Sequence, residues 1–583
     1  MGTIADKLTR IITTKEDIRQ ALISKGYDVP TSIPFKEYAK MILDLPCKAD
    51  SFPDIEGIVA RYSASGLTNE QMAENPVWVD KTGNGRDLQL KNFSWRGMSG
   101  VGGYVQDFND FRNNATVDKV RIDEQSSNSI KVTILTTGIS NTIYIPKNIY
   151  QFNKSYFIKI SSEGYDEGDM ALSFYAPSTS TATTVTVSLN PNGITEIPAI
   201  KEDDFLAVYI NVSGKVGSFT VEQLPLYPGA LVFDGVDDCG VCENFPILTK
   251  EKGYTVVALR QWDQDFLNTT LTGGLLSTRN YSTGEGVAFE KIESSNKGYW
   301  NLGAGGIIDF AKSPFTWQTS KQYNNVGILK GDKNHGKPLC VGCGLSGGQQ
   351  CGRFAIWELV FLDHDATEEE LTKIKDYFVK TYPWLFPDQA WTVTGKTNED
   401  EDRATIANIT GNGNDLVLSN FGFIEGSGYN KEGEYAGYLV TDGVDDKITS
   451  SIFEMGNDWT VIGDWELINT GKKDNAGIVK FDSIVIYNYN PILINIKNGR
   501  NNLIPDQNTV NAICSDGRIY SKDWKESIYN EETESTSKNF LTIGYSGNSY
   551  TKIAFKNLAI YPTVLSKEDC IKAYNYLQTI KSK

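Results

Sequence analysis

The chain has 583 residues, a net charge of −17 and 40% hydrophobic residues, enough for several domains with real cores. The negative balance disfavours wrapping nucleic acid or docking on an anionic bilayer, and no apolar run is long enough to span a membrane as a helix. The opening MGTIADKLTR lacks the charged-then-apolar plan of a secretory signal, so synthesis in a cytoplasm is expected.

Residues 1–48 stand apart from the rest. Ile4, Leu8, Ile11 and Ile12 recur at helical spacing, then Ile18, Leu22 and Ile23, then Phe35, Tyr38, Ile42 and Leu43, with Gly26, Pro30 and Pro34 as stops. Two or three short helices with so few apolar residues make a poor isolated core. We expect an anchoring or oligomerisation segment that completes its burial on a partner. The alternative is a helical cap on the first β-domain.

The whole chain holds 53 Gly, 29 Tyr, 26 Phe and 11 Trp, and the short alternating runs beyond this segment predict β-structure. A three-part series occurs twice. Thr82–Phe93 and Thr410–Phe421 share Thr-Gly-Asn-Gly-x-Asp-Leu-x-Leu-x-Asn-Phe. An apolar run then meets Asp-Gly-Val-Asp-Asp, at Asp234–Asp238 and Asp442–Asp446. Asp-Gly inside a strand pattern marks a tight turn. An alternating strand and a capped helix close each copy, Arg353–Phe378 with Thr367 and Glu370 as cap, and Lys552–Leu577 with Ser566 and Asp569. Phe421 and Asp442 lie 21 positions apart, but Phe93 and Asp234 lie 141 apart, so about 120 residues are inserted in the first copy. The insert, 109–226, carries eight short β-rich runs and predicts an antiparallel sandwich. The expected domains are 1–48, 54–108 with 227–386, 109–226, and 388–583.

The ordered series TGNGxDLxLxNF, LVxDGVDD, strand and helix resembles the concanavalin A-like, laminin-G-type jelly roll. The resemblance covers residues 54–104 with 229–385, and 388–583. It implies two jelly-roll sandwiches, so that with the third sandwich inserted in the first and the short helical N-terminal segment the chain is expected to be mainly β. The segment TIADKLTRIITTKEDIRQALISKGYDVPTSIPFKEYAKMI resembles the opening of tail- or fibre-type virion proteins of bacteriophages of gut Bacteroidetes, including crAss-like phages. Together they imply a structural virion protein of a fibre or appendage, made in the host bacterial cytoplasm. Its partners would be other virion proteins through 1–48, further copies of itself as a dimer or trimer, and host-surface polysaccharide. A purely architectural head-fibre or capsid-decoration role is the alternative, and a glycan depolymerase a third.

Only two histidines occur, His335 and His364, and no Glu-x-Asp-x-x-Glu strand is present, so we expect no enzyme. Among eight cysteines, Cys239-x-x-Cys242 and Cys340-x-x-Cys343 have zinc-ligand arithmetic. Buried thiols are the competing reading, and a disulfide fits a cytoplasmic origin least. The second copy has Lys447 and Ser450 at the places of Cys239 and Cys242, so the fold itself does not require the cysteines. Asp234, Asp237 and Asp238 invite calcium, against a capped turn. No cofactor is required by the pattern, zinc and calcium being the ions it invites, and no sugar site can be named.

Overall fold

The computed structural model describes Lys15 and residues 52–580, without 153, 176–184, 201–205, 247–253, 268, 279–287, 292–296, 301–305, 310–337, 346–348, 365, 411–412, 434, 469–476, 482–483, 488–491, 497–499, 505–509, 522–523, 529–540 and 547–548. The chain separates into two compact units, Met1–Asp54 and Ile55–Lys583. Apart from Lys15, the expected N-terminal helices lie outside the described residues. The second unit is mainly β, as expected.

Arg353–Leu362 is the central strand of the first sandwich. Thr255–Trp262 pairs along one edge, while Ile58–Ser63 and Leu231–Asp234 share the other. A strand flanked on both edges and covered on both faces must be apolar throughout, and RFAIWELVFL is buried from Phe354 to Leu362. Phe354, Ile356, Leu359 and Phe361 enter the sandwich core. The helix Glu368–Thr381 lies beyond the other face, started by a Thr367–Glu370 capping box. Glu358 is buried beneath it, 3.2 Å from Arg61, and accepts from Tyr382 Oη at 2.9 Å. Pairing and hydrogen bonding make such a buried charge tolerable. The facing sheet runs Val77–Trp78, Leu88–Lys91, Cys239–Cys242, Leu339–Val341, Gly273–Ser277 and then three further strands.

The second sandwich repeats this plan. Ile553–Tyr561 is central, between Thr460–Leu467 on one edge and Gln389–Thr392 with Leu439–Val440 on the other. Both copies bulge at the same step, Leu259/Arg260 and Asp464/Trp465. Ser566 caps the final helix Lys567–Leu577. The two copies and the insert have separate cores.

The insert is two five-stranded antiparallel sheets. Val132, Ile143, Ile158, Leu172, Ile210 and Val221 are among the side chains buried between them. Its two ends meet through Gln223. That side chain accepts from the N–H of Val105 and of Gln106, both at 3.0 Å, and donates to Gln106 O at 2.7 Å. Close ends are what let a domain be inserted in a host turn.

The repeated motifs clasp one another. In the first copy Asn92, at φ 68°, donates to Asp237 O at 2.9 Å, and Ser99 Oγ donates to Asp238 at 2.9 Å. In the second, Asn420 at φ 68° donates to Asp445 O at 2.9 Å, and Ser427 Oγ donates to Asp446 at 3.1 Å. Gly443 sits at φ +76°, where a Cβ would stand 3.1 Å from Lys552 N. Left-handed backbone costs an L-residue about 1–2 kcal/mol. Gly443→Ala is therefore expected to destabilise the second sandwich by at least about 1 kcal/mol in chemical denaturation. Gly422→Ala, with no positive φ and its nearest neighbour at 3.5 Å, should stay within about 0.5 kcal/mol.

Candidate functional site

A cleft of about 1030 Å³ opens between the insert and the second sandwich. One wall is formed by Val185–Leu189 and Ile194–Ile197, the edge strands of the insert's two sheets. Edge strands turn backbone N–H and C=O groups outward. The facing wall carries Tyr435, Tyr438, Glu466 and Lys556. Behind it lies an aromatic seam: Phe157 of the insert meets Tyr574 edge-on at 5.5 Å, and Tyr574 meets Trp524 at 5.6 Å. These three rings are buried, whereas Tyr435 and Tyr438 are half-buried.

Lys556 is the charged centre of the cleft. Its Nζ lies 3.6 Å from Asp464 and 3.9 Å from Glu196 of the insert. It also stands 5.5 Å from the centre of the Tyr438 ring, within range of a cation–π attraction. Tyr438 Oη donates to Asp464 at 3.0 Å, and Gln578 Nε2 donates to the other Asp464 oxygen at 3.1 Å. Burial works against the ammonium, but the Glu196 and Asp464 carboxylates outweigh it and hold the pKa above the ordinary lysine value. Rings for stacking, backbone groups along the strands and fixed polar side chains together suit a polyhydroxylated ligand.

No residue of this wall was predicted. The copies compared in register would have exposed it. Lys556 takes the place of Trp357 in the closing strand, and Tyr438 that of Ala230 before the Asp-Gly turn. In the first copy Trp357 is fully buried, donates to Pro228 O at 2.8 Å and packs edge-on against Tyr576. Elsewhere Trp262 and Trp465 are buried, while Trp95 is half-buried and stacks on Phe93 at 4.8 Å.

The four expected zinc ligands do not converge. The two Cys-x-x-Cys segments are neighbours, with Val241 opposite Cys340. But residues three apart on a strand face opposite ways. Cys242 points into the main core, its Sγ 3.2 Å from Asn244 Oδ1, while Cys239 faces away from that core. Cys343 is disulfide-bonded to Cys351, the outcome that a cytoplasmic origin made least expected. Cys239 and Cys340 share a hydrogen bond that lowers Cys239 to about 7 and raises Cys340.

The acidic turns bring three carboxylates within 4.8 Å in each copy. Two of the three already serve the turn with their oxygens. Asp238 accepts from Asp234 N–H at 3.0 Å and from Ser99, and Asp234 accepts from Val236 N–H at 2.8 Å. Calcium needs six to eight free oxygen ligands, so these residues do not fit it. Burial, with Asp234 beside it, pushes Asp238 up to about 8, and burial pushes Asp446 up to about 6. His364 lies 3.2 Å from Glu370 of the capping box. His335 lies outside the described residues.

No protein-family model and no curated protein matches the chain. Solved structures similar to it include the botulinum neurotoxin serotype D binding domain, at 11% identity over 59% of this chain and 89% of that one, TM-score 0.23. Another is Trypanosoma rangeli sialidase in complex with sialic acid, at 9% identity over 82% of this chain and 97% of that one, TM-score 0.25. The sialidase matches overturn the expectation that the chain is not an enzyme. Likeness at this level carries no reaction or ligand to this chain.

The raised carboxyls set a pH dependence. From its ordinary value of 3.8 up to about 8, folded Asp238 keeps a proton that the unfolded chain has released. Stability should therefore fall as pH rises across that window and level off above it. Asp238→Asn, which can still accept from Asp234 N–H, should flatten the fall in urea denaturation of the first sandwich at about pH 5 and about pH 8.5. An unchanged slope would show that another group carries it.

Proposed function

We propose that this chain is a structural protein of a bacteriophage fibre or appendage that attaches to host-surface glycans, with the cleft between the insert and the second sandwich as its glycan site. The observation that carries the reading is the wall of Tyr435, Tyr438 and Lys556 facing two edge strands across about 1030 Å³. Saccharides present apolar ring faces and equatorial hydroxyls. Tyrosines accommodate the faces, and backbone groups with fixed amides and carboxylates take the hydroxyls. Glu167, Glu196 and Glu466 line the cleft alongside a single lysine, and that lysine is already paired with carboxylates. Neutral glycans are thus expected over anionic ones. Residues 1–48 would tie the chain to other virion proteins or to further copies of itself, as their resemblance to phage fibre openings suggests.

On an array of host capsular and surface polysaccharides, the full chain should bind neutral glycans. Losing one stacking ring costs about 1 kcal/mol, so Tyr435→Ala should weaken binding roughly fivefold. Binding to none of the polysaccharides, or undiminished binding by Tyr435→Ala, would count against the cleft. Phage assembled with a chain lacking residues 1–48 should be devoid of it, and normal incorporation would rule out anchoring through that segment.

A further inference from the structure

Four cysteines of the first sandwich gather away from the main core. Cys239, Cys340, Cys343 and Cys351 form a separate buried cluster with Val241. The backbone explains which four. Alternation puts Cys239 and Val241 on one face of their strand, and Cys340 stands opposite Val241 on the neighbouring strand. Simple alternation would then send Cys343 to the opposite face. Gly342, at φ +98°, breaks it, and a Cβ there would lie 2.5 Å from Phe233 and 2.6 Å from Asp238 O. Cys343 thereby rejoins Cys340 and faces Cys351 across a hairpin. The backbone N–H of Cys343 donates to the sulfur of Cys340, and Lys91 lends both Cys239 and Cys340 a nearby positive charge.

We propose that, when the Cys343–Cys351 bond is reduced, Cys239, Cys340, Cys343 and Cys351 bind one zinc ion as a closed structural site. Zinc takes four thiolates tetrahedrally, and a site without an open position is structural. Two equivalents of a low-molecular-weight thiol reduce the disulfide, giving two protein thiols and one small disulfide. Zinc then displaces four thiol protons and leaves a site of charge −2 beside Lys91. The ion would clip the strand Cys239–Cys242 to the segment Leu339–Cys351, which is distant in sequence. Cys242 is not a ligand, because its side chain lies on the core face. The second sandwich, with Lys447 in place of Cys239, has no counterpart.

The test uses the full chain, expressed with zinc and purified under a low-molecular-weight thiol. Metal analysis should find one zinc per chain. Cys239→Ser and Cys351→Ser should lose it, and Cys242→Ser should keep it. Because a serine in a buried cluster can unfold its sandwich, the wild type is also loaded with cobalt. The absorption bands of a tetrahedral tetrathiolate cobalt centre should appear and vanish on adding zinc. No uptake of either ion by the reduced wild type would overturn the proposal. So would full zinc in Cys239→Ser, loss of zinc in Cys242→Ser, or iron in place of zinc.

Discussion

Lys556 joins two domains that are not neighbours in sequence. The inserted sandwich interrupts the first β-domain, yet its Glu196 meets a lysine of the second, which also holds Asp464 and underlies Tyr438. A lysine so enclosed is tolerable only with its carboxylates in place, and removing one partner of such a group is far costlier than the pair's net worth. The cleft depends on this arrangement. Without it, the edge strands of the insert would have no facing aromatic wall. Gln223 at the base of the insert and the ion pair of Lys154 with Asp263, 3.3 Å apart, hold the insert to its own host.

The two copies share a clasp and differ in what they attach to it. The Asn-Phe loop and the Asp-Gly-Val-Asp-Asp turn bond to one another in the same way in both, so this acidic stretch is architecture. Divergence lies one or two residues away. Trp357 is sealed in the first copy, whereas Lys556 beneath Tyr438 makes a half-buried polar wall in the second. Cys239 in the first becomes Lys447 in the second, which stacks on Tyr545 at 4.8 Å. A duplicated fold has acquired a buried sulfur cluster in one copy and a ligand-sized cleft beside the other.

Much of the fold was legible in the sequence, because the repeat declares itself through turn residues whose backbone demands are local. Thr367, Ser566 and the Asp-Gly pairs all act within a few residues of themselves. The insert was legible from the widened gap between Phe93 and Asp234. The site was not. Its residues come from two domains, and nothing local marks Val185–Leu189 as the wall opposite Tyr435. The four cysteines of the two Cys-x-x-Cys motifs fail to converge for a different reason. Motif spacing treats Cys-x-x-Cys as a chelating turn, but Cys239–Cys242 is a flat strand that points its ends apart. Only Cys340–Cys343, with Gly342 in the left-handed region, has the turn that the motif requires.

The proposed recognition site is the junction of the insert with the second sandwich. The most direct test is a structure of the full chain saturated with a neutral oligosaccharide drawn from a host capsule. Sugar is expected in the cleft, with a ring face on Tyr435 and hydroxyls within hydrogen-bonding distance of the strand Val185–Leu189. Sugar held elsewhere on the chain, with Tyr435 and Lys556 untouched, would contradict it.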